Sequence, residues 1–224
     1  MKIKTFKSLE ELESVLLAEF QIIITNAINQ FGDARILISG GSTPIHFYSL
    51  LSELSLSWKN VKIGLVDERF VPLSNKFSNE AMIRRELLKN NAIEAEFFSM
   101  VLDSEDRQHN IQLVNDEYMI FKERVDVVLL GMGEDGHTAS LFPNDPNSDF
   151  ASHTDEIAIF NTQAPEFPND RITCGQKMLI MADKKLLLIK GPKKLEVLKK
   201  SKLSWFPITP FVLESSKMEV YYAD

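Results

Sequence analysis

One cysteine, Cys174, is all that 224 residues contain, which excludes an internal disulfide and a multi-cysteine metal site. Long apolar runs are missing as well. No uninterrupted stretch approaches the roughly 20 residues that span a bilayer, and the opening MKIKTFKSLEELES has no apolar centre of the kind a secretory signal carries. A cytoplasmic protein with no membrane partner is expected. Positive charge is not in excess either: 25 Lys and Arg face 32 Asp and Glu, a formal net charge of −7. Binding to a polyanion draws on released counterions and needs a basic surface, so nucleic acid is not the expected partner. His46, His109 and His153 have no ligand spacing and read as ordinary surface or partly buried side chains, so a metal site is unsupported.

What is present is ordinary for a globular protein, 44% hydrophobic and 25% charged residues, at a length that suits one domain spanning residues 1–224. Strand-like and helix-like segments alternate almost throughout, which predicts a Rossmann-like α/β fold: a mostly parallel central sheet flanked by helices on both faces. Strands are expected at Lys2 to Phe6, Ile36 to Ile38, Val61 to Val66, Glu96 to Phe98, Val127 to Leu130, Leu186 to Ile189 and Met218 to Tyr222. Glu156 to Phe160 and Arg171 to Cys174 also look extended. Ser8 followed by Glu11 is a capping-box signature for a long helix, which carries Leu12, Leu16, Phe20, Ile23, Ile24 and Ala27 at core-facing spacing. Further helices are expected from Pro44 through Leu51, from Ser78 to about Lys89, from about Ser104 to Arg124, and from about Gln176 and Lys193. Asn144 to Ser152, rich in Asn, Asp, Ser and Pro, reads as a surface loop.

Three loops carry the chemistry. In DVVLLGMGEDGHTASLFP, four apolar residues run into a glycine-punctuated turn that delivers Asp135 and His137 at the end of a buried strand, where α/β sheets bind ligands. Gly131, Gly133 and Gly136 permit close backbone approach to a ligand. In ISGGSTP, Gly40, Gly41, Ser42 and Thr43 join a strand to a helix and suit a phosphate, whose oxygens would meet unpaired N–H groups and hydroxyls. A simple helix cap at Ser42 or Thr43 is the other reading. The turn has neither the Walker lysine nor a GxGxxG pattern. In GLVDER, Asp67, Glu68 and Arg69 emerge together from a strand end. Arg69 could pair with a carboxylate or phosphate, or face a developing oxyanion, and Asp67 could act as a base or orient another group. A surface salt bridge is the alternative. Arg171 and Lys194 could each contact an anion; most of the six lysines between Lys190 and Lys202 read as a solvated helix face.

These segments resemble the 6-phosphogluconolactonase family over nearly the whole chain. SGGSTP, VDER, SNEAMIRRELL, GMGEDGHTASLFP, and Arg171-Ile172-Thr173 with the later Gly191-Pro192-Lys193-Lys194 occur in the family's order. The segment before Arg171, EFPND, is less proline-rich than the family pattern. The resemblance implies hydrolysis of 6-phospho-D-glucono-1,5-lactone, a small sugar-phosphate substrate, to 6-phosphogluconate in the oxidative pentose phosphate pathway, with no organic cofactor. It implies His137 as the base toward water and Asp135 as its orienting partner. Arg69 would then lie on the oxyanion side and Asp67 would fix that guanidinium or the sugar hydroxyls, while Gly40, Gly41, Ser42, Thr43, Arg171 and Lys194 hold the 6-phosphate. Glucosamine-6-phosphate deaminase shares the fold and a similar aspartate-glycine-histidine loop, but continues to an Asn-Glu-Pro whose glutamate joins the histidine. Phe142 stands at that place here, which favours the lactonase. A noncatalytic sugar-phosphate sensor is the third reading.

Overall fold

Val127 to Leu130 is bounded by Asp126 and Gly131 and has no exposed side chain, because it lies between other strands and is covered on both faces. That burial explains its unbroken apolar character. In the computed structural model, which describes residues 1–213 and 218–224, this strand is β6 of a seven-stranded sheet. The other members are β1 (Lys2–Phe6), β2 (Ala34–Ile38), β3 (Val61–Leu65), β5 (Glu96–Phe98), β9 (Lys184–Lys190) and β10 (Met218–Ala223). The order is β1-β10-β9-β6-β2-β3-β5, with every pairing parallel. From β2 the chain builds outward through β3 and β5, then returns to the other side of β2 with β6 and builds the opposite way through β9 and β10. The β2/β6 boundary is thus a switch point, where the loops leaving the two carboxyl ends diverge and leave a crevice.

The helices are α1 (Leu9–Phe31), α2 (Ile45–Leu51), α3 (Asn79–Glu86), α4 (Arg107–Glu117), α5 (Met119–Glu123), α6 (Pro146–His153), α7 (Gln176–Ile180), α8 (Pro192–Lys200) and α9 (Thr209–Leu213). Helices flank the sheet as expected, and α1 buries the apolar stripe predicted for it. Its Ser8 hydroxyl accepts from Glu11 N at 3.2 Å, closing the first turn.

A second, antiparallel sheet orders β4 (Asp67–Arg69), β8 (Asp170–Cys174) and β7 (Ile159–Gln163). The charged triplet of VDER is therefore a short strand and not an open loop. Other differences follow local chemistry. Asn144 to Ser152 is not simply a surface loop: Asp145 accepts from Ser148 N at 2.9 Å and Pro146 occupies the first turn, so the same Asn, Asp and Pro residues start helix α6. The expected helix from Ser104 to Arg124 breaks at Tyr118, whose φ of −88° and ψ of 11° separate α4 from α5. Tyr118 is fully buried, its hydroxyl accepting from Leu65 N at 2.8 Å, so a tertiary contact interrupts the helix. The helix after Ser78 ends at Glu86, short of Lys89. No helix among the described residues is long and apolar enough to cross a membrane.

Candidate active site

The crevice at the β2/β6 boundary contains a cavity of about 270 Å³. It is near the lower edge of the roughly 300–1,000 Å³ usual for small-ligand sites. Gly40, Gly41, Ser42 and Thr43 line it from the end of β2, Asp67 and Arg69 from β4, His137 from the loop after β6, and Lys194 from the start of α8. These eight of the ten expected site residues meet in one hollow. Asp135 stands behind His137, and Arg171 lies outside the cavity wall.

The loop after β6 is folded by its own polar groups. Gly133 N donates to His137 O at 2.9 Å, Thr138 Oγ1 donates to Gly131 O at 2.8 Å, and Gly136 adopts the left-handed region at φ 81°. Asp135 Oδ1 meets His137 Nδ1 at 2.6 Å and accepts His137 N at 3.1 Å. Partial burial raises the Asp135 carboxyl, but the hydrogen bonds and charge of His137 outweigh it and hold the group below its ordinary range. An ionised carboxylate only accepts, so a neutral His137 carries its proton on Nδ1 and keeps Nε2 as a free lone pair. Phe142 packs on the imidazole with ring centroids 4.7 Å apart, fixing its other flank.

The turn after β2 is held open toward the cavity. Tyr48 Oη donates to Ser39 O at 2.6 Å, Gly41 takes φ 92°, and the amides of Gly41, Ser42 and Thr43 donate to no other group among the described residues. Such free amides are ready donors for an anion. Lys194 adds a cation from the first turn of α8.

Asp67 and Arg69 are not paired with each other. Asp67 Oδ2 accepts the Ser140 hydroxyl at 2.5 Å, while Arg69 Nη1 donates to Phe77 O at 2.8 Å and its buried Nε has no partner. Of the two roles expected of Asp67, the grip on the Arg69 guanidinium is not formed, since its Oδ2 takes Ser140 instead, and its Oδ1 is left for a sugar hydroxyl. Arg171 lies opposite Arg69 in the β4/β8 register. Its Nε donates to Pro168 O at 2.8 Å, and its guanidinium lies 5.7 Å from the Phe142 ring centroid. Burial lowers the Arg171 pKa, and the facing Arg69 charge lowers it further, against the attraction of Asp67 and Glu68. Two guanidiniums on opposing strand positions repel, so their potentials add at any anion nearby.

Glu68 ties β4 to α3. Its carboxyl oxygens accept from Arg69 N, Ser78 Oγ, Asn79 N and Glu80 N at 2.7–3.1 Å. Burial pushes this carboxyl up to about 7 against the pull of those four donors. Asn79, Ser140 and Tyr48 escaped sequence reading. Only SNEAMIRRELL drew attention to Asn79, and there Ser78 read as the cap while its neighbour carried no signal of its own. Among the described residues, no group of three or more His, Cys, Asp or Glu is arranged to hold a metal.

Residues 7–211 match the family model described as glucosamine-6-phosphate isomerases/6-phosphogluconolactonase. The chain is 36% identical over 184 residues to the 6-phosphogluconolactonase of Pseudomonas aeruginosa, covering 82% of this chain and 77% of that protein. It is 33% identical to the 6-phosphogluconolactonase of Rhizobium meliloti, with 97% of each covered. The crystal structure of a 6-phosphogluconolactonase from Shewanella baltica superposes with a TM-score of 0.93 at 29% identity, covering 100% of this chain and 98% of that one. With the model matched over most of its length and such relatives covering nearly all of it, this chain belongs to the glucosamine-6-phosphate isomerase/6-phosphogluconolactonase family.

Proposed function

We propose that the chain hydrolyses 6-phospho-D-glucono-1,5-lactone to 6-phospho-D-gluconate, the lactone-opening step of the oxidative pentose phosphate pathway, by histidine-assisted attack of water. The observation that carries this reading is the shared cavity: the imidazole of His137 and the amide-rich turn at Gly40–Thr43 line the same hollow.

Opening a δ-lactone needs a nucleophilic water, charge stabilisation at the carbonyl oxygen and a proton for the departing ring oxygen. Nε2 of His137 takes the water proton as the oxygen attacks C1. The resulting imidazolium is stabilised by Asp135, and the proton returns to the ring oxygen as the C1–O bond breaks. General acid–base assistance of this kind contributes about 10²–10⁴-fold. Arg69, which lines the cavity, faces the developing oxyanion with the end of its guanidinium that Phe77 O leaves unbonded, and Arg171 across the strand pair reinforces the positive potential. The amides and hydroxyls of the turn, with Lys194, hold the 6-phosphate and so position C1 for attack.

The deaminase reading requires a glutamate beside the histidine, but Phe142 packs against His137 and offers no carboxylate. The deciding assay follows acid release in a pH-stat from freshly generated 6-phosphogluconolactone, with spontaneous opening subtracted. Glucosamine 6-phosphate and the His137→Ala protein are run beside it. Accelerated lactone opening that is lost in His137→Ala is expected. Ammonia release from glucosamine 6-phosphate, or phosphate-dependent stabilisation without turnover, would replace this reading by the deaminase or the sensor.

A further inference from the structure

The cavity is unequal in its polar groups. Gly41, Ser42, Thr43, Arg69 and Lys194 supply donors, which suit a phosphate and an oxyanion. The rest of a sugar lactone is a row of hydroxyls, and a hydroxyl buried in such a site must donate to something. Asn79 also lines the cavity, and of the lining side chains Asp67 and Asn79 each carry an oxygen that only accepts and that no described residue donates to, whereas the hydroxyls of Ser42 and Thr43 both donate and accept.

Asn79 is only 4% exposed and opens α3 beside the cavity. Its backbone N is used by Glu68 Oε1 at 2.8 Å, and its side-chain Nδ2 donates to Asp67 O at 3.0 Å. A carbonyl cannot donate, so this contact fixes which end of the carboxamide is nitrogen. Oδ1 is left, and among the described residues nothing donates to it. Across the cavity wall, a β-carbon at Gly40 would stand 2.0 Å from that same oxygen. Gly40 therefore lets the Asn79 carboxamide lie against the turn after β2, in the wall of the cavity.

We propose that Asn79 is a specificity-determining residue of this site, its Oδ1 accepting a hydrogen bond from one ring hydroxyl of the sugar lactone. The inference rests on the lactonase reading and adds the group that reads the sugar. Without that hydroxyl the acceptor stays buried and unpaired, which is how a polar site rejects a deoxy analogue.

The test compares kcat/KM of the wild type and Asn79→Ala on the parent lactone and on its 2-, 3- and 4-deoxy counterparts. The wild type is expected to prefer the parent over one of the three by about tenfold, the loss of one hydrogen bond. In Asn79→Ala that one ratio should fall to near unity while the other two persist. A merely structural role would slow all four substrates and leave the ratios unchanged, which would overturn the proposal, as would a wild type that discriminates against none. Should Asn79→Ala not fold, judged by thermal melting with inorganic phosphate, Asn79→Ser serves, its shorter hydroxyl leaving the same ratios to be read. Failure of the wild type to accelerate opening of the parent lactone would instead remove the lactonase reading itself, so the two failures are distinct.

Discussion

A β-carbon on Gly133 would stand 2.3 Å from both Cε1 and Nδ1 of His137 and 2.5 Å from Asp135 Oδ1. The imidazole and its carboxylate occupy the space that any side chain at 133 would need. The glycine is there for this close approach, since its φ is not among the left-handed ones. Gly133→Ala must therefore push the pair aside, and a displacement of about 1 Å at a reacting group costs about 10²-fold in rate. The expected result is a kcat lowered by about that factor with KM changed less than twofold. A kcat within twofold of wild type, measured by pH-stat on the folded variant, would show that the imidazole does not need this seat.

His137 and Asp135 separate in a different way. His137→Ala removes the base and should lower kcat by about 10²–10⁴-fold, with inorganic phosphate still raising the melting temperature. Asp135→Asn keeps the shape but can present its amide nitrogen to Nδ1, which favours the tautomer with the proton on Nε2. A fall in kcat of at least about tenfold is expected, smaller than that of His137→Ala. Equal, near-normal turnover in the asparagine variant would sever the link between this carboxylate and the rate.

The parts of this site legible in the sequence were those in which one short segment carries both the strand and the chemistry. Val127 to Leu130 declares a buried strand by composition, and the glycines after it a tight turn, so local pattern alone places His137 at a strand end. The turn at Gly40–Thr43 was legible for the same reason. The short strand β4 was hidden because its partner β8 arrives about a hundred residues later, and three charged residues have no strand periodicity of their own. Helix α6 was hidden because Asp and Pro serve turns and helix starts alike, and its burial of Ala151 and Ser152 depends on distant packing. Asn79 was invisible for a stricter reason: its place beside the cavity exists only where Gly40 and Asp67 come together, a juxtaposition that no local pattern encodes.

Lys194 offers a test of phosphate anchoring apart from chemistry. A charge-assisted contact contributes about 1.5–3 kcal/mol, so Lys194→Ala should raise KM by about 10- to 100-fold if that contact forms alike in the ground and transition states. The kcat at saturation should stay within about threefold, as for loss of uniform binding. Lys193, 79% exposed and 3.7 Å from Glu134, is the neighbouring control, and Lys193→Ala should leave both constants unchanged. An unchanged KM in Lys194→Ala would reject its phosphate role.

Far from the cavity, at the amino ends of the strands, Asp33 gathers Arg124, Lys62 at 3.2 Å and Arg35 at 3.4 Å. Burial raises its carboxyl, but the hydrogen bonds of Arg124 and Lys62 and the charges of Arg124 and Arg35 prevail, and it is held below its ordinary 3.8. Folding therefore favours the ionised form, and the stabilisation is complete above the unfolded value near 3.8 and lost as the pH falls through the lower folded value. Asp33→Asn should cost about 1.5–3 kcal/mol in urea unfolding at pH 7, the range for hydrogen bonds to charged groups. The gap between the two proteins should hold from pH 7 to about pH 5 and close as the pH falls below about 4. Because the parallel strands carry the cavity at their opposite ends, kcat of the folded variant should equal that of the wild type. A gap that persists undiminished at pH 3 would mean that packing of the side chain, and not its charge, holds this corner of the sheet.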